Sequence, residues 1–242
     1  MVTVFGLAVN DFKNIIRDKL LISLAILYPV ILIMFSQILV QFIAPGLEET
    51  IPVAGNFTIF FILFVTIIPI LYGFIASFLI LDEKDEHLLT VLRVMPISRN
   101  TYLIYRMLFL TFFSFIVLLI FPPLSGLIEN TQFSYPEFIP IALLFCLLTP
   151  FSAMLVSSFA SNKVQAFAIF KVSATIYMLP LFTFLITDNL KYIFSPAPNF
   201  WGVISLKELI QNGTNDYPHL IIGFVYTIIL IVLLFYIFNK KN

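Results

Sequence analysis

The sequence predicts an all-α membrane protein with six transmembrane helices, and three observations predict it. Of its 242 residues, 61% are hydrophobic and only 11% are charged, against roughly 25% charged in soluble chains; mean hydropathy is +1.06. The apolar residues gather into six long runs, and about 20 helical residues cross a ~30 Å hydrocarbon core. Those runs lack the alternation of barrel strands, and a backbone in lipid must satisfy its own hydrogen bonds, so the spans are helices. A formal net charge of zero says little by itself; in such a chain the placement of charge matters more than its sum.

Residues 1–19 do not read as a secretory signal, because they carry Asp11, Lys13, Arg17 and Asp18 and no small-residue cleavage site follows. As a helix they place Val4, Phe5, Leu7, Ala8, Phe12, Ile15 and Ile16 largely on one side, with Asn10, Lys13, Asn14 and Arg17 on the other. That pattern fits an interfacial helix lying flat on the membrane. The spans are expected at Leu20–Ile43, Phe57–Leu81, Tyr102–Phe121, Phe138–Ala160, Val164–Thr187 and His219–Phe238. Pro29, Pro69, Pro150 and Pro180 fall inside them. Each removes a backbone hydrogen bond and tends to kink its helix. Between the last two spans, residues 188–217 are too long for a tight turn; a short amphipathic helix is expected to begin near Asn199 or Ser205 and stop at Gly213, with the sole tryptophan, Trp201, at the interface and the segment re-entering the outer leaflet. The whole chain, 1–242, reads as a single transmembrane domain.

Lysine and arginine set the expected orientation. Lys13, Arg17 and Lys19 precede the first span, Lys84, Arg93 and Arg99 lie between the second and third, Lys163 between the fourth and fifth, and Lys240 and Lys241 at the end. The loops on the other side carry Glu48, Glu49, Glu129 and Glu137, with Lys191 and Lys207 only in the longer last one. This asymmetry predicts both termini in the cytoplasm and a multi-pass protein of the cell membrane.

Catalysis by this chain alone is disfavoured. No glycine is followed by lysine, so a P-loop is absent. His87 and His219 lie on opposite sides of the predicted membrane and cannot share a metal, and no serine in a span has a histidine near it in sequence. Cys146 sits alone in an apolar run, where it reads as a small buried hydrophobe. Nothing in the sequence suggests a nucleic-acid partner.

The polar residues concentrate in one block, 82–97, between the second and third spans. Glu83, Asp85 and Glu86 occupy first turns where the helix dipole favours acids, Leu88, Leu89, Leu92 and Met95 recur at helical spacing, and Pro96 stops the helix. A short helix pressed into a groove of a soluble partner fits this pattern; so does a solvated loop. Lys171, about eight residues into the fifth span, reads either as a snorkelling side chain or as a cation in a cavity. Arg106, close to the start of the third span, reads as an interface anchor.

Glu83-Lys84-Asp85-Glu86, followed by Leu89, Leu92 and Pro96 and leading into the third span, resembles the signature of type-2 ABC exporter permeases, from which His87, Leu88 and Met95 depart. The resemblance extends to the flat N-terminal helix, the six spans and the Pro198-Asn199-Phe200-Trp201 patch before the last span, which is similar to that of small drug-export permeases. It implies that the block is a cytoplasmic coupling helix. Glu83, Asp85 and Glu86 would then face polar or basic groups of a separate ABC ATPase, Leu89 and Leu92 would fill its groove, and Pro96 would set the return to the membrane. It also implies a second permease copy or paralogue, membrane lipids around the pair, ATP and Mg held by the partner and no cofactor in this chain. The expected cargo is hydrophobic or amphipathic, a drug or peptide; export of a lipid or polymer, and an ATP-independent channel or immunity protein, are the alternatives.

Overall fold

A computed structural model describes residues 19, 23–47, 56–85, 99–128, 131–186 and 189–241. The described residues form helices and turns, with six helices long and apolar enough to cross a membrane: Ala25–Gly46, Phe57–Lys84, Asn100–Ser125, Tyr135–Phe159, Lys163–Phe184 and Tyr217–Lys241. All six expected spans are present, with ends moved by a few residues. Of the interfacial helix expected over 1–19, all but Lys19 lies outside the described residues.

The second and fourth spans make the inner pair of the bundle, and the others pack around them. Close approach at Gly73 explains this pairing, since a Cβ there would stand 2.5 Å from the Thr149 carbonyl oxygen. A polar seam follows the same contact. Thr149 Oγ1 donates to the Pro69 carbonyl at 3.0 Å and lies 3.1 Å from the Ser114 hydroxyl of the third span; Ser152 and Tyr177 of the fifth span share a bond of 2.9 Å. Buried in an apolar bundle, these groups need one another. Cys146 is buried, as expected, with the Ser114 hydroxyl 3.5 Å from its sulfur.

The prolines act differently from one another. Pro69 lies within the continuous helix Phe57–Asp85. The fourth span instead breaks into Tyr135–Cys146 and Leu148–Phe159, where Pro150 cannot donate to the Cys146 carbonyl. Pro180 opens a 3-10 helix, Leu179–Phe184, that ends the fifth span. Pro29 is the second residue of Tyr28–Ile38, directly after a π-helical turn, Ser23–Leu27, and so lies inside the first span. The fifth span starts on Asn162, whose side chain accepts from the Gln165 amide at 2.9 Å.

The chain after the fifth span folds back along the bundle. A 3-10 helix, Asn189–Phe194, leads to Pro196 and Pro198, whose carbonyls accept from Tyr226 at 2.7 Å and from Thr227 at 3.5 Å. Asn199 Nδ2 donates to the Tyr177 carbonyl at 2.8 Å. Tyr226 and Thr227 are nine and ten residues into a helix that starts at Tyr217, so residues 196–199 reach about 14 Å down its axis at ~1.5 Å per residue. Helix Phe200–Asn212 then climbs out and ends on Gly213, at φ +73°. This is the expected helix and stop, with a left-handed cap that only glycine adopts cheaply.

Candidate functional site

One end of the bundle, here the basic end, gathers Lys84, Arg99, Lys163, Lys240 and Lys241. There the second helix closes with Asp82, Glu83, Lys84 and Asp85, and the third opens at Arg99. Glu83 is not turned out. Its Oε1 pairs with Arg106 Nη1 at 2.5 Å, with only 8% and 2% of the two side chains exposed. Tyr102 donates to the same Oε1 and accepts from Arg106 Nη2 at 2.8 Å. Arg106 also lies over the Tyr102 ring, 5.2 Å from its centre. Burial of the ion pair demands such extra bonds, because desolvation otherwise outweighs the attraction. Asp82 turns elsewhere, pairing with Lys163 at the start of the fifth span at 2.8 Å, where both side chains are more than a third exposed. At the same end Lys241 donates to the Ser158 carbonyl at 3.2 Å, tying the last span to the fourth.

Of the residues expected at an ATPase contact, Glu83 is thus held inside this chain, Asp85 ends the second helix, and Glu86, Leu89, Leu92 and Pro96 lie outside the described residues. Arg106 is a buried partner where an interface anchor was expected. Two signals pointed to it: an arginine inside an apolar run needs an acid, and Tyr102 is four residues away, on the same helix face.

Lys171 is exposed on the fifth span, about 12 Å along the axis from Lys163 at ~1.5 Å per residue. Thr175, one turn further, donates to the Lys171 carbonyl at 3.3 Å and lines a cleft of about 410 Å³ between the first, second and fifth spans. Tyr28, Ile70, Phe170 and Met178 form much of its apolar wall. Lys171 itself stands beside this cleft rather than within its lining.

At the opposite end Trp201, at the start of Phe200–Asn212, is half-buried against the last span. Its ring stacks on His219 at 5.7 Å and meets Phe200 edge-on at 5.1 Å, while its Cβ lies where a side chain at Gly223 would clash, at 2.8 Å. His219 pairs with Asp216 and bonds Tyr192 at 3.1 Å. Asn215 and Tyr217 both donate to the Glu137 carboxylate, at 2.6 and 3.0 Å, closing this end onto the fourth span. Among the described residues no cluster of histidine, cysteine and acidic groups could hold a metal ion.

Residues 11–235 match the family described as fluoroquinolones export permease protein Rv2686c-like. Two relatives from Mycobacterium tuberculosis, fluoroquinolones export permease protein MT2760 of strain CDC 1551 / Oshkosh and Rv2686c of strain ATCC 25618 / H37Rv, are each 27% identical over 237 residues, covering 96% of this chain and 92% of theirs. No solved structure matches the chain.

Proposed function

Because the chain belongs to the Rv2686c-like family of fluoroquinolone export permeases, we propose that it is the membrane subunit of an ATP-driven ABC exporter that moves an amphipathic, drug-like cargo out of the cell. The family match over residues 11–235 carries this reading, and it weighs against a channel or an immunity protein. The basic end faces the cytoplasm. There an ABC ATPase, holding ATP and Mg, docks on the segment 82–97 through Asp85, Glu86, Leu89 and Leu92, with Pro96 setting the turn back. A second permease, identical or paralogous, completes the unit.

The cargo enters the cleft between the first, second and fifth spans. Its volume of about 410 Å³ falls within the ~300–1,000 Å³ usual for small-molecule sites, and its aromatic, apolar wall with Tyr28 and Thr175 at hand suits a flat amphipathic molecule better than a sugar or a free ion. ATP binding can shift the chain between inward- and outward-facing forms only through contacts that differ between them, which is the role of the docked segment.

The test is the double substitution L89D/L92D. Two aspartates in a dry docking groove cost several kcal/mol of association, while the spans do not depend on them. Membrane insertion should be normal, with loss of ATPase copurification and return of fluoroquinolone accumulation to the level of cells lacking the protein. Wild-type ATPase binding by this variant would sink the docking assignment.

A further inference from the structure

We propose that Arg106 is a positioning residue that joins the third span to the end of the second, so that displacement of the segment between them is carried into both spans together. That coupling role rests on the exporter reading above. The second helix ends at Asp85 and the third begins at Arg99. Glu83 lies two residues before that end, and Arg106 reaches back toward it from about 10 Å inside its own helix at ~1.5 Å per residue. Their 2.5 Å contact therefore joins the two helices on either side of residues 86–98.

Stability alone does not account for this arrangement. A buried ion pair is often no better than apolar residues of the same shape, whereas one that is broken is strongly destabilising. What such a pair does supply is a fixed geometry. The planar guanidinium bonds both the carboxylate and the Tyr102 hydroxyl, at 2.8 Å, and its ring contact with Tyr102 restricts it further. The neighbouring link is of another kind. Asp82 and Lys163 meet at 2.8 Å with 35% and 44% of their side chains exposed, and exposed pairs of this sort contribute little and readily exchange with water. At this end the second span is thus pinned to the third by a buried pair, while it meets the fifth through stacked rings, Phe74 on Phe170 at 4.2 Å, and the exposed Asp82–Lys163 pair. A push on the segment is carried into spans two and three together through this buried pair.

Spin labels at K84C and N100C, with the buried Cys146 replaced by alanine, measure the separation of the two helix ends in purified protein in lipid nanodiscs. The wild-type pair should give one narrow distance distribution. E83Q/R106Q removes both charges without leaving either alone; it should insert normally, broaden the distribution and abolish fluoroquinolone export at unchanged protein level, and the swap E83R/R106E should restore a narrow distribution. Arg106→Lys, which keeps the charge but not the fork, should broaden it less, and serves if the neutral pair does not insert. An unchanged distribution overturns the positioning role, whatever export does. A broadened distribution with unimpaired export overturns the coupling role. If wild-type cells export nothing, the exporter reading fails and the distances still decide whether Arg106 positions the helix ends.

Discussion

Replacing Gly73 with alanine tests the packing on which every other feature depends. The new Cβ would stand 2.5 Å from the Thr149 carbonyl oxygen, 2.7 Å from Ser152 Cβ and 3.3 Å from the Ala153 nitrogen, all atoms of the fourth span close to its backbone. Relaxed non-bonded carbon contacts lie near ~3.5–4.0 Å, so the second and fourth spans must part by about 1 Å. Overpacking of this kind costs about 1–3 kcal/mol. One turn away the same movement stretches the 3.0 Å bond from Thr149 to the Pro69 carbonyl beyond hydrogen-bond range, a loss of about 0.6 kcal/mol for an average interhelical bond in a membrane. Alanine's better helix propensity returns about 1 kcal/mol. The net loss is about 0.6–2.6 kcal/mol, which at ~2–4 °C per kcal/mol lowers the melting temperature by roughly 1–10 °C. Thermal unfolding followed by intrinsic fluorescence in detergent, with Gly46→Ala as control, reads the effect. At Gly46 an added Cβ meets nothing within 4 Å, so that variant should melt no lower than wild type. If both variants melt together, the second and fourth spans are not in close contact at this level.

Two further outcomes check the orientation and the re-entering segment. In intact cells an impermeant thiol reagent should label T131C and spare S98C, while the buried Cys146 stays unmodified; the reverse pattern would invert the membrane orientation. Trp201, opposite Gly223 and about 9 Å along the last span from Tyr217 at ~1.5 Å per residue, should emit at blue-shifted wavelength and be quenched by lipids brominated at shallow depth; ready quenching by aqueous iodide would place the segment in water.

Much of this architecture is legible in the sequence where a single physical term dominates. The spans follow from apolar length, because nothing else competes with it in lipid. The stop at Gly213 follows from the one residue that adopts φ +73° without strain. The prolines are only half legible. Pro69 and Pro150 both show in the sequence, yet one lies in an unbroken helix and the other beside a break. Each removes one helical hydrogen bond, and nothing beside either in the sequence separates the two.

The acids at the end of the second span show the same limit more sharply. In sequence Asp82, Glu83, Asp85 and Glu86 form one acidic cluster, and Arg106 is a lone base at a membrane edge. A charge in an apolar span needs a partner, and the candidate acid lies 23 residues back, across the polar segment. Folding divides the cluster: Asp82 turns to Lys163 and Glu83 to Arg106. Glu83 therefore answers to the third span, and the proposed docking rests on the residues that follow it. A mutation of Glu83 should therefore disturb the membrane bundle first and any docking only through it, whereas L89D/L92D should do the opposite.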